Sequence, residues 1–534
     1  MTLDRCLTNA KIVDGTGAPW LRGAVGIKDG RIDGIYRGTV PDAEEVINTD
    51  GEIVAPGFID THSHSDLELF EDPTLEPKLR QGITTEVLGQ DGFSMAPMYR
   101  EGGAEEWSQQ LGALAGTVDT DWTWDSVDEY LDAVEASGVS PHVALLVGHG
   151  TVRFNVMGMS DDDPTAAELE EMRELIVEGL EDGAIGFSTG LIYTPCTYAD
   201  TNEIATLAAA LEEYGRPFVA HVRSEGRWIW DALDEFVDIG DDCGVPLHLS
   251  HYKLAGTAQH DQVNRSNALL RTARQRGVDI TIEQYPYTAG STMLSAVLPP
   301  WVHSKGPERT IELLETDEVR ERIRRDIRHW RIDGWENTAG LAGWKNVVVT
   351  SVQTEENKHV EGRSIREIAT ERGTSPVDVV CDLLVEEDLA VSMLIHMMNS
   401  DDVEEILQTD LVNVATDGLF GGRPHPRLAG TFPRVLGTYV RKRNALELEE
   451  AIRKMTSLPA RAMGLHQKGV IRSGMDADIV VFDPETVASR ATYENPLRPP
   501  RGISNVLVDG EFVVRNGEPT GATPGRALRV NTET

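Results

Sequence analysis

Residues 55–66 read Ala55-Pro56-Gly57-Phe58-Ile59-Asp60-Thr61-His62-Ser63-His64-Ser65-Asp66, and the rest of the chain is ordered around them. A short apolar run opened by Pro56-Gly57 predicts a buried strand. Beyond Ile59 the run turns polar. In extended backbone, residues two apart point the same way, so His62 and His64 can grip one ion. An HxH pair alone is weak evidence; its place at the end of a predicted strand gives it weight.

The pattern recurs downstream. Apolar runs at 57–59, 84–88, 143–147, 184–187, 218–221, 247–250, 280–282 and 412–415 alternate with helical segments. One such helix is predicted over 165–180, with Leu169, Met172, Leu175, Ile176 and Leu180 on one face and acids opposite. Eight strand–helix units predict an α/β protein with a TIM-like (β/α)8 barrel, its metal site at the C-terminal strand ends. The seventh and eighth runs lie too far apart, so 290–345, with a charged helix over 308–330, reads as an insertion. Both chain ends differ from this middle. Short strand-like runs at 6–13, 24–28, 31–36 and 53–55, and again at 479–482, 506–508 and 512–514, are broken by turn dipeptides such as Asp29-Gly30 and Asp509-Gly510. The predicted division is therefore a barrel over 57–466 and a small β-sandwich domain built jointly from 1–56 and 467–534.

Composition sets limits on function. At 534 residues the chain exceeds one ordinary domain and suits a large barrel with attached pieces. Its 40% hydrophobic content is globular. Against 49 basic residues stand 88 acidic ones, a net charge of −39, which repels phosphate backbones and anionic bilayers. Nucleic acid and membrane are thus excluded as main partners, leaving a small-molecule substrate; homo-oligomerisation is left open. The acids come from all parts of the chain, Asp162, Glu170, Glu213, Asp241, Glu386, Asp402 and Glu449 among them, while lysine occurs ten times. This predicts an acidic shell of halophilic type. Cys6, Cys196, Cys243 and Cys381 are widely separated, with no CxxC, and the Met1-Thr2-Leu3-Asp4-Arg5 start has no apolar core behind it. A cytoplasmic protein without a disulfide frame is expected.

Polar residues cluster after the apolar runs. The fifth ends in His221-Val222-Arg223-Ser224-Glu225, the sixth in His248-Leu249-Ser250-His251-Tyr252-Lys253, and the eighth in Ala415-Thr416-Asp417-Gly418. Four histidines and an aspartate at strand ends point to one or two divalent cations held by His62, His64, His221, His251 and Asp417. Imidazole with carboxylate suits zinc, and the same set admits manganese, iron or cobalt. Such an ion activates water and polarises a carbonyl. Gly186-Phe187-Ser188-Thr189-Gly190 matches the nucleophile-elbow pattern, but no acid and base follow it in the required order.

These residues resemble the amidohydrolase superfamily, and more closely its N-acyl-D-amino-acid deacylase (D-aminoacylase) members. The likeness also rests on Gly148-His149-Gly150-Thr151-Val152-Arg153, Tyr285-Pro286-Tyr287, Gly430-Thr431-Phe432-Pro433-Arg434 and Gly474-Met475-Asp476-Ala477-Asp478, and it spans nearly the whole chain. It implies metal-dependent hydrolysis of N-acyl-D-amino acids to a carboxylate and a free D-amino acid, with Asp417 as catalytic proton shuttle and Lys253, Tyr285 and Arg427 as a substrate-binding clamp on the carboxylate. Tyr193 is a candidate pocket residue, and His149 and Arg153 have no assigned role. Two departures matter. No lysine lies between Lys78 and Lys253, so the carboxylated lysine that bridges two metals in many amidohydrolases is missing. Where D-aminoacylases carry a cysteine in a Gly-Asn-Cys-Gly turn, this chain has Gly89-Gln90-Asp91-Gly92. Asp91 is thus the expected bridging metal ligand, with Glu86 its rival. The alternatives are a cyclic-amide or D-dipeptide hydrolase of the same superfamily and a non-catalytic amidohydrolase-like scaffold.

Overall fold

The computed structural model describes residues 2–115 and 122–530; the first residue and the last four of the two terminal ranges above lie outside it. The eight predicted runs form one parallel sheet of eight strands: Phe58–Asp60, Ile83–Leu88, His142–Gly148, Gly186–Gly190, Phe218–His221, Leu247–Leu249, Ile280–Gln284 and Val412–Val414. Each pairs with its neighbour in sequence, the eighth joining the seventh. Nearly every strand residue is buried, as expected for parallel strands covered on both faces. Inside the barrel Ile59, Val87, Ala144, Leu146, Ile185 and Val219 pack as one cluster.

The seam between the first and eighth strands is closed largely by polar contacts. A bridge joins Ser63 to Gly418, and the Asp417 N–H donates to the His62 carbonyl at 2.9 Å. Below it, Lys78 is fully buried and its Nζ lies 2.8 Å from Asp60 Oδ2, 2.8 Å from Ser63 Oγ, 2.9 Å from Thr416 Oγ1 and 3.0 Å from Glu86 Oε1. A buried ammonium needs such partners. Burial pushes this amine down, but Asp60 and Glu86 outweigh it and hold it above its ordinary value.

The helix predicted over 165–180 is Ala166–Glu181, capped by Thr165 and Glu168 in a reciprocal capping box. The segment between the seventh and eighth strands carries its own three-stranded antiparallel sheet, Ala289–Met293, Val347–Ser351 and Ser392–His396, with Ser392–His396 in the middle. The interruption read over 290–345 therefore continues to His396, because the strand that completes its sheet lies there. The single charged helix expected over 308–330 is two, Pro307–Leu314 and Asp317–His329, the second starting after Thr316 leaves helical backbone. This unit has a core of its own, including Leu314, Ile323, Val349, Val380 and Leu384.

The termini share a nine-stranded sheet, in which Ile53–Pro56 pairs antiparallel with Ile479–Phe482 and parallel with Leu3–Ile12. The sheet folds over so that Ile12, Val25 and Ile32 share a core with Ile479, Leu507 and Phe512. The last described residues leave it and cross the barrel's N-terminal end. Val143 N–H donates to Arg526 O at 3.0 Å, Leu528 N–H to Val143 O at 2.7 Å, and Leu528 and Val530 pack beneath the interior cluster. Among the described residues, no helix is long and apolar enough to cross a membrane.

Candidate metal centre

Four strand ends and one turn bring the predicted residues together. His62 and His64 follow the first strand, and Asp91 sits in the Gln90–Gly92 turn after the second. His221 ends the fifth strand, His251 follows the sixth, and Asp417 follows the eighth. Asp91, His251 and Asp417 all have positive φ, at 57°, 32° and 49°. Such strain in non-glycine residues persists only where the surroundings impose it. At Asp91 the surroundings are explicit. Gly89 has φ +73°, and a Cβ there would lie 2.1 Å from the Leu146 carbonyl. Gln90 Nε2 donates to Thr61 O at 2.6 Å, Gly89 N–H to Asp66 Oδ1 at 2.9 Å, and Gly92 N–H to Ser188 Oγ at 3.1 Å, while Ser188 itself donates to Gly89 O. Ser188 is thus a brace for this turn, not a nucleophile.

The two Asp91 oxygens face different histidine pairs. Oδ2 lies 3.7 Å from His62 Nε2 and 3.8 Å from His64 Nε2. Oδ1 lies 3.4 Å from His251 Nε2 and 3.8 Å from His221 Nδ1. Asp417 Oδ1 completes the first group, 3.7 Å from His62 Nε2 and 3.4 Å from His64 Nε2. Ligands about 2.1 Å from a tetrahedral cation stand about 3.4 Å apart, so these spacings fit two cations sharing one carboxylate. Among the described residues His62 Nε2, His64 Nε2, His221 Nδ1 and Asp91 Oδ1 are buried with no hydrogen-bond partner. Buried polar atoms are rarely left so, and here all face common points.

Glu86, the rival bridge, is committed elsewhere: Oε1 is paired with Lys78 and Oε2 accepts from Ser63 Oγ at 3.2 Å. Cys196 lies behind the Asp91 turn, where a Cβ on Gly92 would meet its Sγ at 2.7 Å. His149 and Arg153 form a separate buried group: His149 Nε2 lies 3.0 Å from Glu203 Oε1, and Arg153 Nη1 lies 2.6 Å from Glu203 Oε2.

Supporting carboxylates were not legible as site residues. Glu283 Oε1 lies 2.5 Å from His62 Nδ1 and accepts from His251 N–H at 3.2 Å; Oε2 lies 3.0 Å from His248 Nε2 and accepts from Thr61. Its pairing with Nδ1 leaves His62 Nε2 free toward the centre. Burial pushes the Glu283 carboxyl up, but His62 and His248 outweigh it and hold it well below its ordinary value. The one sequence signal was an acid inside a buried run, Ile280-Thr281-Ile282-Glu283, which demands a partner. Glu225 plays the corresponding part for His251, 3.1 Å from its Nδ1, and pairs with Lys253 Nζ. Burial likewise pushes Asp417 up, but Arg427 and His62 outweigh it and keep it below its ordinary value. Among the described residues His64 has no such acid behind it, and burial lowers it.

A small cavity opens above the centre, lined by His221, His251, Lys253, Tyr285 and Asp417 from the barrel. The inserted segment adds Ser291, Thr292, Glu336, Ile395 and Met397. Arg427 Nη1 lies 2.7 Å from Asp417 Oδ2, and its guanidinium stacks over the Tyr285 ring at 4.5 Å. Tyr193 also lines the cavity, its hydroxyl 2.9 Å from Thr292 Oγ1. Tyr287 points away, its hydroxyl donating to Pro426 O at 3.3 Å.

Residues 45–514 match the model of a family described as the amidohydrolase family. The chain is 34% identical over 528 residues to a D-aminoacylase of Alcaligenes xylosoxydans xylosoxydans, covering 98% of this chain and 97% of that protein. It is 35% identical over 528 residues to an N-acyl-D-glutamate deacylase of the same organism, covering 99% and 96%. A crystal structure of the N-acyl-D-glutamate deacylase of Bordetella bronchiseptica, complexed with zinc and a phosphonate mimic of the reaction's tetrahedral intermediate, superposes with a TM-score of 0.84 at 34% identity, covering 99% of this chain and 100% of that one.

Proposed function

This chain belongs to the amidohydrolase family, and we propose that it hydrolyses the amide bond of N-acyl-D-amino acids to a carboxylate and a free D-amino acid. The observation that carries the reading is the Asp91 carboxylate, each oxygen turned to its own histidine pair, with Asp417 beside one pair and a cavity above. His62, His64, Asp91 and Asp417 would hold one divalent cation and Asp91, His221 and His251 a second; zinc suits this donor set. Bound there, a cation would lower the pKa of water from 15.7 to about 7 and polarise the scissile carbonyl.

The protein's own groups do the rest. Asp417, held ionised by Arg427, accepts the proton of the attacking water and delivers it to the departing amine nitrogen. Lys253, Tyr285 and Arg427 bind the substrate α-carboxylate. Glu283 and Glu225 fix the orientation of His62 and His251. The inserted segment supplies part of the cavity wall. The cyclic-amide alternative lacks its usual bridging group, since no lysine lies between Lys78 and Lys253.

The acidic surface supports a protein suited to concentrated salt, and four unpaired cysteines suit a reducing cytoplasm. Parallel hydrolysis of N-acetyl-D- and N-acetyl-L-amino acids by the metal-loaded enzyme tests the function. Release of free D-amino acids is expected; turnover confined to L-substrates or cyclic amides would refute it.

A further inference from the structure

The cavity walls carry a charge pattern that bears on which side chain the substrate has. Among the described residues lining it, Lys253 is the only lysine or arginine, and it is already paired with Glu225. Arg427 reaches the site through Asp417. The inserted segment contributes no cation to the lining; it contributes Glu336, buried to 6% exposure, whose carboxylate accepts from Ser224. The remaining walls are apolar or neutral, with Ile192, Ile395, Met397, Thr292 and Thr338.

A substrate's single α-carboxylate can take Lys253, the one lysine or arginine of the lining. A second carboxylate, on the side chain, would meet Glu225 and Glu336 with no unpaired cation lining the wall. Like charges forced together in a desolvated site cost several kcal/mol. We propose that this site takes N-acyl-D-amino acids with uncharged side chains and turns away those with a side-chain carboxylate, and that Glu336 is a specificity-determining residue in that choice. The inference rests on the function proposed above and narrows it. Overall likeness does not make this distinction, because identity to the D-aminoacylase and to the D-glutamate deacylase is 34% and 35%.

The test compares N-acetyl-D-glutamine with N-acetyl-D-glutamate, which match in shape and differ by one charge, alongside N-acetyl-D-leucine. The metal-loaded holoenzyme is assayed at pH 8, above the value of about 7 to which burial raises Glu336. Expected is a kcat/KM for the glutamine and leucine substrates at least about 10²-fold above that for glutamate. In Glu336→Gln the glutamine-to-glutamate ratio should fall about tenfold or more. The ratio is read within each protein, so a general loss of activity does not disturb it. Glutamate hydrolysed as well as glutamine overturns this inference alone. A ratio unmoved in Glu336→Gln overturns the part given to Glu336. No hydrolysis of any of the three overturns the function beneath it as well.

Discussion

Asp417 and Arg427 form a buried pair at 2.7 Å, so the proposed shuttle is ionised before substrate arrives. Asp417→Asn keeps the shape and removes the basic charge. Its kcat should fall by at least about 10²-fold, because general acid–base catalysis is worth 10²–10⁴, and its pH–rate profile should lose the acidic limb. Near-normal kcat with that limb intact would put the base elsewhere. Glu283 acts one atom further out. Glu283→Gln keeps a hydrogen bond to His62 Nδ1 but not the charge, and metal affinity should weaken about 10- to 100-fold, the usual cost of losing a partner behind a ligand. Competition with a chelator reads this directly, and an unchanged affinity would show that His62 is oriented without it. The residues proposed as ligands stand out in the sequence because each sits at the end of an apolar run. Glu225, Glu283 and Glu336 do not, because their roles depend on which distant elements meet: Glu283 is 221 positions from His62 in sequence.

The barrel strands were legible because parallel strands covered on both faces are rich in apolar residues, as His142–Gly148 and Phe218–His221 are. The inserted unit was less so. Its third strand, Ser392–His396, follows helices that resemble those of a barrel unit, so only pairing with Ala289–Met293 and Val347–Ser351 reveals where it ends. That unit carries a pH-sensitive element in His303, which is buried, with Nε2 3.3 Å from Ser295 O. Burial lowers its pKa from 6.5 to about 4. The folded value is depressed, so its stability is intact above about 6.5 and is lost as pH falls toward 4, where the unfolded chain binds the extra proton. Between pH 7.5 and pH 5 the loss should be about 2 kcal/mol. Urea unfolding at both pH values should show a smaller difference in His303→Gln. An equal difference in both proteins would mean the histidine is solvated.

For the whole molecule, net charge −39 is spread over 19355 Å² of surface. In dilute buffer this charge repels itself, while at about 1 M salt the Debye length is about 3 Å and the repulsion is screened. Thermal melts should therefore rise from dilute buffer to molar KCl, and a flat or falling trend would end the halophilic reading. The interior charges follow another rule. Lys78, Asp60 and Glu86, and Lys468 with Asp476 and Asp478, are buried pairs that salt screens little. The salt response should come from the shell, with the metal centre unaffected.

The most direct measurement is elemental analysis of wild-type protein and Asp91→Ala after equilibration with zinc and removal of free ion. One or two zinc ions per chain are expected in the wild type, and well under one in the variant, because both proposed cations share the Asp91 carboxylate. Equal zinc in the two proteins, or active wild-type enzyme with far less than one metal per chain, would contradict a metal centre built on Asp91.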